Sequence, residues 1–190
     1  QNEASEFEKY FIPNGNFREF SLVKKIVRTP SYIYNAKVGR KLGKLIKDLK
    51  PDVAHVHIFY AGLSVSVLRT LQKFNIPVVH TVHDYRLLCP VNTFIDKPGS
   101  ICELCKDKHF YHCLKKRCSE GKFLQSAMVT LEAYFWKYFM NPINYIDHNI
   151  FVSKFSQNKH FEFDTRFKRN CTQLYNFTIL YPCLCYHFAT

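Results

Sequence analysis

The chain has 190 residues and a formal net charge of +12, from 27 basic and 15 acidic side chains. Its apolar fraction of 47% excludes a disordered tail and suffices for one packed domain with an appendage. No stretch of roughly 18 or more apolar residues exists, which excludes a membrane-spanning helix, and the basic excess points to a phosphate-bearing partner (a nucleotide, a nucleic acid or an anionic membrane surface) or to a plainly solvated basic surface.

Residues 1–20 are polar and aromatic without a period, and Pro13-Asn14-Gly15-Asn16 reads as a turn. No signal peptide is visible, and a start at Gln1 rather than Met leaves room for a removed upstream segment. A short helix is predicted over Glu19–Arg28, stopped before Pro30. A longer helix follows over Ser31–Lys50, with Val38, Leu42, Leu45 and Leu49 facing one way and Lys41, Lys44 and Lys47 outward. Its basic side suits an anionic membrane; the plainer reading is a surface helix covering the sheet.

Val53–Ile58 reads as a strand that ends near His57, and Ala61–Phe74 as a helix with Leu63, Val67, Leu71 and Phe74 on one face. Pro77 opens a second strand in which Val78, Val79 and Val82 form the near-continuous apolar run of a strand buried in a parallel sheet. Strand, helix, strand is a βαβ unit, whose crossover should be right-handed. The apolar run stops at His83-Asp84-Tyr85-Arg86, so acid/base and hydrogen-bonding side chains sit at the C-terminal end of a core strand. In open α/β sheets that edge binds ligands.

Leu87–Gly121 is a long irregular segment, a length that calls for function or cross-linking. It holds Cys102-x2-Cys105 and Cys113-x4-Cys118, two close-spaced pairs that can give four thiolates to one structural zinc. The intervening lysines and Arg117 would offset the charge and lower the thiol pKa values. His109 and His112 are spare ligands; an iron–sulfur cluster, two disulfides or four free thiols are the alternatives. The clustering favours a reduced compartment. Cys89, Cys171, Cys183 and Cys185 lack matching partners and read as core or tail cysteines.

A buried, aromatic-rich helix is predicted from Lys122 to Phe139, with Leu124, Met128, Leu131, Phe135 and Tyr138 as its period and Asn141-Pro142 as its break. His148–Val152 reads as a short strand, and Ser153 as the N-cap of a helix through His160. After Asn170 another short apolar run precedes a tail without charge or period.

His55 and His80 lie inside apolar runs and read as satisfied core histidines, whereas His57 and His83 sit at the ligand edge. Asp84 either orients His83, binds a hydroxyl, or caps the turn after the strand. No G-x-S-x-G, Walker loop or G-x-G-x-x-G occurs among these residues.

Taken together, K-P-D-V-A-H-V-H, L-S-V-S-V-L-R-T-L, I-P-V-V-H-T-V-H-D-Y-R-L-L-C-P, G-S-I-C-E-L-C with its later C-x4-C, and N-I-F-V-S-K-F resemble the N-terminal domain of glycosyltransferase family 4 over roughly residues 40–176. The resemblance implies an α/β, Rossmann-like parallel sheet flanked by helices, the acceptor-side half of a GT-B fold, with a cysteine-rich loop insertion. It implies a retaining enzyme that transfers a sugar from a nucleotide sugar to a surface-polysaccharide or lipid-linked acceptor in the cytoplasm, at the inner face of the membrane. The family's T-x-H-D histidine falls on His83, near the transferred sugar; Asp84 beside it completes the expected catalytic pair, and His57, Tyr85 and Arg86 shape the substrate wall. No catalytic metal is implied, so zinc on Cys102, Cys105, Cys113 and Cys118 would be structural.

The family's first strand with its Gly-rich loop and its second, donor-binding domain have no counterpart in these residues, and after Leu174-Tyr175-Asn176-Phe177 the match ends. Residues 1–176 are thus expected to form a partial domain, with 177–190 a divergent tail like a truncated or frame-shifted end, and the chain alone is expected to be inactive. A basic zinc-stabilised nucleic-acid module is the alternative, but it has no use for the His83-Asp84-Tyr85 strand end and shows no recognition motif. An inert remnant is the third reading.

Overall fold

The computed structural model describes residues 7–10, 12, 21–60, 62–96 and 99–175; the Pro13–Asn16 turn and the tail from residue 176 lie outside them. Four parallel strands, β1 (Ala54–Val56), β2 (Val78–Val82), β3 (His148–Phe151) and β4 (Cys171–Gln173), form one sheet in the order β1-β2-β3-β4. Among the described residues six α-helices accompany it: α1 (Leu22–Ile33), α2 (Ala36–Leu49), α3 (Ser66–Lys73), α4 (Tyr111–Lys115), α5 (Phe123–Tyr138) and α6 (Lys154–Phe163). This is the Rossmann-like α/β architecture that the βαβ pattern predicts.

Register sorts the strand residues. Ala54 pairs with Val78, Val56 with His80, His80 with Asn149 and Val82 with Phe151, so these side chains share one face. That face is the core. Val78 packs with Ile46, Phe59, Val65, Leu68, Leu71 and Trp136, and Val82 and Phe151 pack with Leu88, Phe94 and Phe167. The opposite face carries His55, Val79, Thr81, His148, Ile150 and Thr172. Its polar side chains pair across strands: His55 bonds Thr81 Oγ1 at 2.7 Å and His148 bonds Thr172 Oγ1 at 2.8 Å.

Several element ends depart from the sequence expectation, each for a local reason. Helix α1 runs through Pro30 to Ile33, and its last turn is closed by the Tyr34 N–H on the Pro30 carbonyl, which a proline keeps. Helix α2 starts later than Ser31, at an Asn35 cap whose side chain accepts from the Val38 N–H at 3.3 Å. Its buried positions are Val38, Gly43 and Ile46, while Leu49 is exposed. The rotation follows from packing on α3: a Cβ on Gly39 would stand 2.8 Å from Thr70 Oγ1, and one on Gly43 3.3 Å from the Phe74 ring, so glycines set the closeness of the two helices.

Helix α3 begins at Ser66, not Ala61, because Ser64 takes a left-handed conformation (φ 68°) and its hydroxyl accepts from the backbone N–H groups of Asn35 and Ser66. Helix α6 is capped by Ser153 as expected and continues past His160 to Phe163. The cysteine-rich loop is less irregular than predicted, with a 3-10 turn at Lys106–Lys108, helix α4, and an isolated bridge between Ile95 and Ile101. The largest correction is the face of α5. Leu131 and Tyr138, expected inward, are exposed, and Gln125, Val129, Glu132, Ala133 and Trp136 are buried instead. Apolar periodicity missed this because the buried face includes a carboxylate.

Candidate active site

Parallel pairing of β1 and β2 brings their C-terminal ends side by side. His57 and His83, the first residues beyond them, meet: Nδ1 of His57 lies 2.8 Å from Nε2 of His83, with the rings 5.1 Å apart and 20° from parallel. One of these nitrogens carries the shared proton and the other accepts it, so each ring fixes the tautomer of its neighbour. His55 extends the row, its ring 4.4 Å from that of His57. Both His57 and His83 are exposed, with His57 Nε2 and His83 Nδ1 left for a ligand.

Below this pair the chain is fixed. His80 is buried, and burial lowers its pKa to about 4, so it stays neutral. Its single N–H donates to the His57 carbonyl at 3.0 Å and its Nδ1 faces the Asn149 amide at 3.3 Å. His80 is therefore a core histidine, as its apolar run suggested, and it pins the strand end that presents His57.

Asp84 is spoken for. It accepts from the Tyr60 hydroxyl, from the Arg86 backbone N–H at 2.9 Å and from Asn92 Nδ2 at 3.0 Å. Of the roles open to it, the structure shows the turn cap; His57, not Asp84, holds His83. Burial, then the Asp84 bond, pushes the Tyr60 phenol up, keeping it a donor. Tyr85 is half-buried, stacked on His160 at 5.6 Å and tilted against Phe94 at 4.9 Å.

Arg86 does not reach the ligand wall. Its side chain is 6% exposed and forms an ion pair with Glu132, which is 0% exposed; Nη2 also donates to Tyr32 Oη at 3.2 Å. The guanidinium lies over the Tyr60 and Trp136 rings at 5.5 and 5.8 Å. Burial pushes the Glu132 carboxyl up and Arg86 draws it back, and the pair survives because the two charges meet. Sequence reading passed over Glu132, Tyr60 and Asn92. A lone acid in the apolar run T-L-E-A-Y-F-W was the one available signal.

The cysteines gather behind the turn. Cys105 and Cys113 are buried with Phe110, Val129 and Ala133, with Cys118 packed against them, and Cys102 is half-buried. Burial, then Cys89, Cys113 and the remaining thiols, pushes the Cys105 thiol up; burial, then Cys118, takes Cys113 to about 12. Cys89 is a core cysteine, as expected, buried with Val82, Leu88 and Phe151. Among the described residues no three His, Cys, Asp or Glu side chains stand where they could hold a metal ion. His109 is exposed and His112 half-buried, both against the Tyr111 ring. No helix among the described residues is long and apolar enough to cross a membrane.

A family model described as Glycosyltransferase Family 4 matches residues 11–176. An uncharacterized 42.6 kDa protein in the cps region of Klebsiella pneumoniae is 35% identical over 68 residues, which are 36% of this chain and 18% of that protein. The aligned stretch is thus under a fifth of that relative's length. No solved structure matches the chain.

Proposed function

The chain belongs to glycosyltransferase family 4, and we propose that it is the acceptor-side half of a retaining glycosyltransferase that moves a sugar from a nucleotide sugar onto a surface-polysaccharide or lipid-linked acceptor. The observation that carries the reading is the exposed His57–His83 pair at the C-terminal edge of adjacent parallel strands, the edge at which open α/β sheets bind ligands. In this reading His83 Nδ1 hydrogen-bonds a hydroxyl of the transferred sugar and His57 keeps the ring in one tautomer. Asp84 holds the turn through Tyr60 and Asn92, and Tyr85 lines the wall beside it. The cps-region relative favours a polysaccharide acceptor.

In this reading the nucleotide sugar is held by a second α/β domain that closes the cleft. Lys44 and Lys47, exposed on α2, suit peripheral contact with the inner, anionic membrane face.

A binding assay with the purified chain separates this reading from the nucleic-acid module. Immobilised bacterial oligosaccharides are expected to retain the chain at physiological salt. Retention by oligonucleotides alone, falling steeply with salt, would overturn the reading.

A further inference from the structure

Helix α5 carries its polarity inside out. Gln125, Ser126, Thr130 and Glu132 are buried, whereas Phe123, Leu131 and Tyr138 of the same helix, and Phe139 just after it, are more than half exposed. At about 100° per residue, Leu124, Ala127, Leu131, Phe135 and Tyr138 fall on one stripe, and none of them is buried. The end of the stripe is the most exposed, with Tyr138 at 67% and Phe139 at 76%. Both rings are held in place: Tyr138 stacks on Tyr134 at 6.0 Å and Phe139 on Phe135 at 5.5 Å. A contiguous apolar face of this kind marks a surface that something covers.

Its surroundings say what. Glu132 is the only acid of α5, and it points inward to Arg86. Lys137 Nζ stands at the margin of the stripe, 5.8 and 5.0 Å from the Tyr134 and Tyr138 rings. Helix α4 runs back along α5: the Tyr111 N–H donates to Tyr134 Oη at 3.1 Å, and the Ser119 N–H to Ser126 Oγ at 3.0 Å. Between these two contacts Lys115, Lys116 and Arg117 are exposed. The nearby acids Asp96 and Glu120 pair with Lys116 and Lys122, so the flank is basic on balance. A helix of 16 residues is about 24 Å long. A stripe one helix wide along it is much smaller than the roughly 800 Å² that each partner of a stable protein complex covers. A bilayer needs no such area. Apolar and aromatic side chains on one helix face, with cations beside them, enter the boundary between headgroups and acyl chains, and a phenol suits that depth because one end is apolar and the other wet.

We propose that α5 is a membrane-docking helix that lies flat on an anionic bilayer, with Leu131, Tyr138 and Phe139 in the acyl boundary and Lys137 and the bases of α4 among the headgroups. It adds an inserting element to the electrostatic contact that the reading above gives to α2, and it does not depend on sugar transfer.

The test is flotation of the purified chain with vesicles of phosphatidylcholine containing phosphatidylglycerol, and with vesicles of phosphatidylcholine alone. The expected result is partition onto the anionic vesicles and weaker partition onto the neutral ones. Tyr138→Ser/Phe139→Ser should weaken partition on the order of tenfold or more, and Leu131→Gln should move it in the same direction. These side chains are exposed, so thermal unfolding should stay near that of the parent. Failure of the chain to float with anionic vesicles would overturn the proposal. So would parent-like partition in both α5 variants; if Lys44→Gln/Lys47→Gln then abolished it, the contact would belong to α2 alone. Self-association that these α5 substitutions remove, without vesicle binding, would assign the face to a second copy of the chain and overturn the proposal as well.

Discussion

Arg86 and Glu132, 46 residues apart in sequence, close a buried ion pair that ties the turn after β2 to the middle of α5. The turn in question is the one that begins with His83 and Asp84, so the pair holds the strand edge from behind. Glu132→Ala leaves the guanidinium buried and uncompensated and should cost about 3–5 kcal/mol. Replacing both partners, Arg86→Met with Glu132→Leu, should recover much of that loss. Urea unfolding of the three proteins checks it; a single variant as stable as the parent would show that the pair contributes nothing.

Asp84 and the two histidines should separate in a stability assay. Asp84→Ala removes the acceptor for Tyr60, Asn92 and the Arg86 N–H and should cost about 1–3 kcal/mol. His57→Ala and His83→Ala, on exposed groups, should stay within about 0.5 kcal/mol of the parent. Thermal unfolding of the three variants decides whether Asp84 is a scaffold residue as assigned.

His80 and His160 set a pH dependence. Burial lowers both pKa values from the ordinary 6.5 to about 4. The unfolded chain therefore binds protons that the folded chain refuses between those values. The stabilisation is complete above about pH 6.5 and is lost as pH falls toward 4, by up to about 3 kcal/mol per histidine. Glu132, pushed up by burial, acts in the opposite sense, so the test is a difference. The stability of His160→Gln should fall less between pH 6.5 and 4 than that of the parent; equal slopes would refute the assignment.

The glycines of α2 predict a packing effect. A Cβ on Gly39 would meet Thr70 Oγ1 at 2.8 Å, and that hydroxyl already donates to the Ser66 carbonyl. Gly39→Val should therefore destabilise by about 1–3 kcal/mol despite removing a glycine from a helix. Gly62→Ala, with open space around its Cβ, serves as the control.

The parts of this fold that were legible in the sequence are those written in local signals. The β-branched run Val78–Val82, the Asn141-Pro142 break and the Ser153 cap each declare themselves within a few residues, and each stands where expected. The βαβ unit then placed His57 and His83 at one edge before any contact was known. What could not be read depended on distant partners. Apolar periodicity alone cannot place Glu132 in the core, because only Arg86 makes its burial tolerable, and so the face of α5 was misjudged. Arg86 was misplaced for the same reason.

The central claim is that the His57–His83 pair belongs to a sugar-binding edge. The most direct test measures the affinity of the best-retained oligosaccharide for the parent chain, His57→Ala and His83→Ala, with thermal unfolding alongside. The account predicts a loss on the order of tenfold or more in both variants, as expected when a bonded side chain is removed, with unfolding unchanged. Undiminished affinity in His83→Ala would contradict it.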